Sequence, residues 1–310
     1  MEAYNVFKDL AIIIFAAKMF GILARKFKAP QVVGEILAGL LIGPGVLGLV
    51  QQSDFLVQMA EVGVVLLMFS AGLETDLKEL LKTGPVAFLI ACAGVFVPLL
   101  GGTLLYMGFY GASPWGSEDF YIAVFIGVIM TATSVSITVQ SLKEMGKLKG
   151  RVGTTILSAA IIDDVIGIIV LTFVIGFKNP DSNPGSVVFS TALFFLMAFA
   201  VGIVVYRVFK ILDDRYPHTQ RIPILSLALC FFFAYAAEHY FGIADITGAY
   251  VAGIVLCSIR DSSYIDQKME ISSYMIFGPI FFASIGFKTS IDHLGGSMLL
   301  FSAGFVVVAL

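Results

Sequence analysis

Charged residues are scarce in this chain. Asp, Glu, Lys and Arg make up 13% of the 310 residues, whereas apolar residues make up 58% and the mean hydropathy is +0.95. Soluble domains carry roughly 25% charged residues. The low charge therefore excludes an ordinary soluble domain and predicts an all-α protein that crosses a membrane several times.

Cysteine and histidine are also rare, with three of each. Cys92, Cys230 and Cys257 lie inside apolar runs at spacings that fit no metal site, so we expect them to be small buried side chains. The acidic MEAYNVFKD start and the lack of a small-residue cleavage site argue against a cleavable signal peptide. The sequence predicts no cofactor and no nucleic-acid partner.

Long apolar runs fill most of the sequence. A helix needs about 20 apolar residues to cross the hydrocarbon core of a bilayer. Charge clusters, Pro and Gly divide the chain into ten full predicted spans and the start of another, namely 4–24, 31–50, 55–73, 84–109, 119–141, 152–177, 186–209, 222–241, 244–259, 269–287 and 296–310.

Basic residues are concentrated in alternate loops. Only Lys8, Lys178 and Lys288 fall on the opposite side, and Lys18 lies within the first predicted span. By the positive-inside rule we expect the basic loops in the cytoplasm and the amino terminus outside the inner or plasma membrane. The residues of the basic loops are Arg25, Lys26, Lys28, Lys78, Lys82, Lys143, Lys147, Lys149, Arg151, Arg207, Lys210, Arg215, Arg221, Arg260 and Lys268.

Two segments of the sequence resemble each other at an offset of 214 residues. GEILAGLLIG at 34–43 aligns with GAYVAGIVLC at 248–257, and SAGLETDLKEL at 70–80 aligns with SIGFKTSIDHL at 284–294. The paired spans run in opposite directions across the membrane, which predicts the inverted repeat of secondary transporters. Because the equivalents of Thr131 and Asp163 fall past Leu310, we expect the chain to be part of a longer protein.

Two adjacent carboxylates, Asp163 and Asp164, lie at the centre of the predicted span 152–177, which holds no other charge. One carboxylate at this depth costs about 2.5–3.5 kcal/mol on insertion scales. The pair therefore needs a water-filled cavity or a partner. The structural alternative is an ion pair, but we expect Lys18, the only basic residue well inside a span, to extend towards the cytoplasmic end beside Arg25.

The pair suits the exchange of a monovalent cation for protons. Adjacent residues of a helix point about 100° apart, so one Asp can face a cavity while the other faces a neighbouring helix. We expect the two carboxylates to titrate as one unit that holds a proton near neutral pH. A hard cation such as Na⁺, K⁺ or Li⁺ prefers oxygen ligands and would compete with that proton.

Five hydroxyl groups cluster in the middle of the predicted span 119–141. Ser and Thr in apolar helices commonly bond to their own backbone or to a neighbouring helix. Neither Gly nor Pro lies between Val128 and Val139, so the sequence itself predicts no helix break. Their depth matches that of Asp163 and favours a role in the site for Thr131, Thr133 and Ser134; the cluster also holds Ser136 and Thr138.

Two other function classes fit parts of this pattern. A potassium channel or efflux pathway fits the same scaffold, although no TVGYG-type filter occurs, and flux without proton counterflow would identify it. An intramembrane aspartyl protease also uses paired carboxylates. Its carboxylates face each other, whereas consecutive residues of one helix diverge, so we expect a transporter and no enzyme.

Several motifs resemble the cation:proton antiporter-2 family, which includes NapA-type and germination-type Na⁺/H⁺ antiporters and glutathione-gated K⁺ efflux systems. They are PQVVGEILAGLLIGPGVLG at 30–48, AEVGVVLLMFSAGLETDLKEL at 60–80, TATSVSITVQSLKEMGKL at 131–148, IIDDVIG at 161–167, TGAYVAGIVL at 247–256 and FFASIGFKTSID at 281–292. Together these motifs cover the whole chain in order.

The resemblance implies the inverted-repeat antiporter fold, with a discontinuous helix at the membrane midplane unwound around Thr131–Ser134. It implies that Asp164 carries the cation and the proton, and that Asp163 pairs with a Lys of the eleventh span. No such Lys appears before Leu310, and Lys288 lies too near the outer surface to replace it.

The resemblance also implies a division of the chain into a scaffold and a mobile core that moves as an elevator. Residues 1–80 and 186–292 would form mainly the scaffold of a homodimer, 84–177 the core of the first repeat, and 296–310 the start of the second core. The sequence does not decide whether a cytoplasmic regulatory region lies beyond Leu310. Glu35, in the first turn of the span 31–50, is expected to serve only the helix dipole and the interface.

Overall fold

The computed structural model describes residues 3–112, 114–176, 184–216, 218–289 and 296–309, and these residues form helices joined by short turns. Lys178 of the predicted outer loops and Leu294 of the sequence repeat lie outside them. The helices are α1 (Ala3–Lys26), α2 (Gln31–Ile42), α3 (Asp54–Leu73), α4 (Leu77–Tyr110), α5 (Glu118–Thr131), α6 (Val135–Glu144), α7 (Arg151–Gly176), α8 (Pro184–Arg215), α9 (Arg221–Phe241), α10 (Asp245–Leu256), α11 (Ser262–Ser272), a π-helical turn (Ser273–Phe277), α12 (Gly278–Phe287) and α13 (Gly296–Ala309).

Seven helical segments within the described ranges are long and apolar enough to cross a membrane. α1 has 24 residues but contains Lys8, Asp9 and Lys18. α2 and α10 have only 12 residues each, so the predicted spans 31–50 and 244–259 are too long. α2 ends where Gly43 adopts an extended backbone before Pro44, a residue that cannot continue a helix.

Side-chain caps fix where several helices begin. The side chains of Ser53, Asp76 and Ser117 accept hydrogen bonds from backbone N–H groups in the first turns of α3, α4 and α5. Such caps satisfy donors that have no partner within the helix. The polar residues just before these apolar segments are therefore helix N-caps.

The helices pack in two groups that share α6. α4 packs against α5, α7 and α13, whereas α10 packs against α3 and α9, and α12 packs against α2 and α3. α6 contacts α2, α3 and α7, so it touches members of both groups. The second half of the interrupted helix thus lies where the two groups meet.

Close glycine contacts join the short helices to the second group. Gly39 of α2 lies against the backbone of Ala283 in α12, and Gly253 of α10 lies against the backbone of Phe69 in α3. A Cβ at either glycine would collide with a main-chain oxygen. Ala283 and Phe69 are themselves 214 residues apart, and α2 and α10 begin and end at positions with the same offset. The 214-residue offset thus relates the contact between α2 and α12 to the contact between α10 and α3: Gly39 corresponds to Gly253, and Phe69 corresponds to Ala283.

Candidate functional site

The fifth predicted span is interrupted at its centre. α5 ends at Thr131 and α6 begins at Val135, with Ala132 in an extended conformation between them. The resemblance implies this break, although the local sequence lacks the Gly or Pro that would predict it. Backbone groups near the interruption are consequently free of the regular helical ladder.

Asp163 lies beside the break. Its side chain is buried, and its Oδ2 accepts a hydrogen bond of 3.1 Å from the hydroxyl of Thr133. Within the described residues Oδ1 has no hydrogen-bond partner. That oxygen lies close to Gly94 of α4, where a Cβ would approach it to 3.1 Å. The carboxylate therefore occupies a narrow space between α4, α7 and the break.

Asp164 has different surroundings. It is half-buried, and together with Asp163 it lines a cavity of about 330 Å³ between α5 and α7. Thr131, Ala132 and Gly167 also line this cavity. In the part of the chain that the structure describes, no hydrogen bond or ion pair engages the Asp164 carboxylate. Its oxygens are thus available to a ligand that enters the cavity.

The hydroxyl cluster divides into separate roles. Thr133 reaches Asp163, while Thr131 lines the cavity but donates its own hydrogen bond to the Val128 carbonyl at 2.8 Å. Ser134 caps α6, because its hydroxyl accepts from the Ile137 N–H. Of the three predicted site hydroxyls, only that of Thr133 contacts a carboxylate of the pair.

Lys18 does not compete for the aspartates. Its Nζ is buried 3.6 Å from Glu35 Oε1 and 3.6 Å from the centre of the Tyr274 ring. That Lys18 extends towards the cytoplasmic end stays a prediction, and the structure shows its ammonium beside Glu35, near the start of α2. Glu35, only 5% exposed, also accepts a hydrogen bond of 2.7 Å from Gln31, so it has side-chain partners in addition to the helix dipole. A buried carboxylate needs such partners, and Lys18 supplies the charge.

A second polar cluster surrounds Lys143 of α6, and loop charges alone did not predict it. We call it the Lys143 cluster. The ammonium lies 2.9 Å from Glu74 Oε1, 3.5 Å from Glu270 Oε1 and 4.0 Å from Asp266 Oδ1, and it donates to the Ser70 hydroxyl at 3.3 Å. The sequence places Lys143 in a cytoplasmic loop, whereas the structure places it in the last turn of a helix.

Comparison with known proteins agrees with this architecture. Residues 11–310 match the family described as "Sodium/hydrogen exchanger, transmembrane". The probable Na(+)/H(+) antiporter GerT of Bacillus cereus is 37% identical over 294 residues, which cover 94% of this chain and 76% of that protein. The Na(+)/H(+)-K(+) antiporter GerN of the same organism is 35% identical over 310 residues, which cover 99% of this chain and 78% of that protein.

A solved structure shares the fold. The sodium proton antiporter MjNhaP1 from Methanocaldococcus jannaschii superposes with a TM-score of 0.72 over 100% of this chain and 79% of its own, at 17% identity. Fold and site thus define a multi-pass, all-helical membrane protein with a helix break beside paired carboxylates. The chain belongs to the sodium/hydrogen exchanger family.

Proposed function

We propose that this protein exchanges a monovalent cation for protons across the cytoplasmic membrane, with Asp164 as the carrier and Asp163 as its neighbour in the site. The observation that carries the proposal is the contrast between the two carboxylates. Both line the cavity, but Asp163 accepts a hydrogen bond from Thr133 at the helix break, whereas Asp164 has no partner among the described residues. Na⁺ is the first candidate, since the names of both Bacillus cereus relatives include Na(+)/H(+) exchange, and K⁺ and Li⁺ are the others.

The chemistry requires only oxygen ligands and protons. A partly dehydrated alkali cation at Asp164 would take carboxylate oxygens, hydroxyls and water as ligands, as hard cations do. A proton on the same carboxylate removes its charge, so cation and proton compete for one position. If the site opens to only one side of the membrane at a time, this competition couples the two fluxes.

We further propose an inverted repeat and elevator-type movement. The equal bounds of α2 and α10 at the 214-residue offset, and the equivalent contacts of Gly39 and Gly253, support the repeat. Residues 84–177 and 296–310 would form the moving core, and residues 1–80 and 186–292 the scaffold of a homodimer embedded in lipid. The amino terminus would lie outside the cell.

The decisive experiment measures exchange in proteoliposomes. Asp164→Asn should abolish cation-driven proton movement for every alkali cation and leave the thermal unfolding profile unchanged. Asp119→Asn, the same change at an exposed acid in the first turn of α5, is the control and should retain exchange. Retention of full exchange by the Asp164 variant would exclude this site, and cation flux without proton counterflow would indicate a channel.

A further inference from the structure

α6 depends on its neighbours for its position. It has ten residues, and isolated helices of this length are marginal in water. Its apolar face is buried through Val135, Val139 and Leu142, but apolar contacts alone allow a short helix to slide or rotate. Hydrogen bonds and ion pairs, which have a defined geometry, therefore help to fix the position of α6 along and around its axis.

Lys143 supplies such contacts at the carboxyl-terminal end of α6. Glu74 follows α3, and Asp266 and Glu270 belong to α11, so the Lys143 cluster ties α6 to two other helices. The Lys143 side chain is only 22% exposed, which limits the screening of these ion pairs by water. The Ser70 hydroxyl, which accepts from Lys143, also donates to Asp266.

The next residue adds a contact to a third helix. Glu144 Oε2 accepts a hydrogen bond of 2.6 Å from the backbone N–H of Gln31, at the start of α2. A carboxylate at a helix amino terminus is stabilised by the helix dipole. The carboxyl-terminal end of α6 is thus held by polar contacts to α2, α3 and α11.

The other end of α6 carries Thr133. Ser134 is bound to α6 because its carbonyl accepts from both the N–H and the hydroxyl of Thr138, at 3.2 Å and 3.0 Å. Ala132, in contrast, donates to the Ile129 carbonyl of α5. Thr133 lies between these two residues, one peptide bond before Ser134, so a shift of α6 would move it. Thr133 precedes Lys143 by ten residues, and the helical stretch between them, from Val135 to Lys143, is about 12 Å long.

We propose that Lys143 is a positioning residue for cation exchange: by fixing the far end of α6 it keeps the Thr133 hydroxyl on Asp163. The inference rests on the proposed function for its transport readout. Lys143 touches neither the cavity nor the carboxylate pair, so it acts on the site only through the position of α6.

The first test does not require transport. In a chain whose three native cysteines are replaced by Ala, cysteines at positions 133 and 163 should form a disulfide, because the native side chains are in hydrogen-bond contact. Trypsin cleavage at Lys147 and Arg151 separates the two positions, so linked peptides can be quantified by mass spectrometry. Lys143→Met should reduce the disulfide yield several-fold.

The matched control is Lys149→Met. Lys149 also pairs with Glu74, at 3.8 Å, but it follows α6 and its side chain is 69% exposed. This variant removes the same charge from the same carboxylate and should leave the disulfide yield unchanged. Equal yields in all three proteins would overturn the proposal. If Lys143→Met does not fold, Glu74→Gln removes the shortest ion pair and should lower the yield in the same way.

The second test is a double-mutant cycle on exchange. Lys143→Met and Thr133→Val should each raise the KM for Na⁺, and the double variant should be no worse than Thr133→Val alone, because both remove one interaction. Lys143→Arg, which keeps the charge, should restore most of the affinity. Effects that multiply would overturn the proposal while leaving exchange itself established. Absence of exchange in the unmodified protein would instead refute the proposed function, and the disulfide test would still decide the role of Lys143.

Discussion

Asp163 and Asp164 are neighbours in the sequence, but their carboxylates have different partners. Both line the cavity, but the first accepts a hydrogen bond from Thr133, whereas no hydrogen bond or ion pair among the described residues engages the second. Two carboxylates with different surroundings can serve different steps of one cycle, as paired acids do in other sites. The division of roles in the proposed exchange therefore depends on a single threonine hydroxyl.

Thr133→Val should weaken cation binding. A hydrogen bond to a charged group contributes about 1.5–3 kcal/mol, and its loss should raise the KM for Na⁺ by roughly tenfold or more. Thr131→Val is the matched control, because that hydroxyl donates to the Val128 carbonyl of its own helix and should change the KM little. Equal effects of the two variants in proteoliposome exchange would contradict the assignment.

The sequence indicates the polar residues of the proposed site but not their partners. Asp163 and Asp164 can be recognised in the sequence because two carboxylates in an apolar segment are costly to insert into a membrane. Thr133 lies in the middle of its own predicted span, at a similar predicted depth in the membrane. Which of five nearby hydroxyls bonds to the pair depends on the turn at Ala132, which has no Gly or Pro to mark it. The Lys18–Glu35 pair depends on the approach of α1 and α2, and this is a tertiary contact that single-helix patterns do not contain.

At the scale of elements, glycines set the distance between helices. Gly39 and Gly253 each lie against a backbone oxygen of a neighbouring helix, where there is no room for a side chain. The sequence repeat pairs these two glycines, so their equivalence could be predicted, whereas the partner helices could not. Helix ends were harder to predict, since apolar residues continue past Ile42 although the helix stops there.

Gly253→Ala and Gly39→Ala should both destabilise the protein. Overpacking of a tight interface typically costs 1–3 kcal/mol, and each change should lower the midpoint of thermal unfolding in detergent by several degrees. Gly108→Ala is the control, because a Cβ there meets no neighbouring atom and alanine favours the helix. Unchanged midpoints for both interface variants would show that the helices can separate at little cost.

For the whole molecule, the distribution of basic loops predicts the orientation in the membrane. In a cysteine-free background, Ala112→Cys in the turn after α4 should react with an impermeant maleimide on intact cells. Lys147→Cys in the turn after α6 should react only after permeabilisation; both positions are exposed. The reverse pattern would place the amino terminus in the cytoplasm.

The division of the chain into a scaffold and a moving core stays a prediction. The position of α6 between the two packing groups could not be predicted, because it depends in part on polar contacts among residues far apart in the sequence, such as Glu144 and Gln31. A positive-inside count treats Lys143 as one loop charge among many. Its burial against three acids becomes visible only when α3, α6 and α11 come together.

The shortness of α2 has a consequence for the lipid around it. Twelve residues of helix cover about 18 Å, whereas the hydrocarbon layer is about 30 Å thick. The turn that follows must then satisfy its own amides, since lipid tails offer them nothing. Four N–H groups are satisfied within the turn: Leu47 N–H donates to the Leu41 carbonyl, Gly48 N–H to that of Gly43, and Leu49 and Val50 N–H to that of Ile42. These bonds lower the cost of placing the turn at the depth of the acyl chains, next to the short helix.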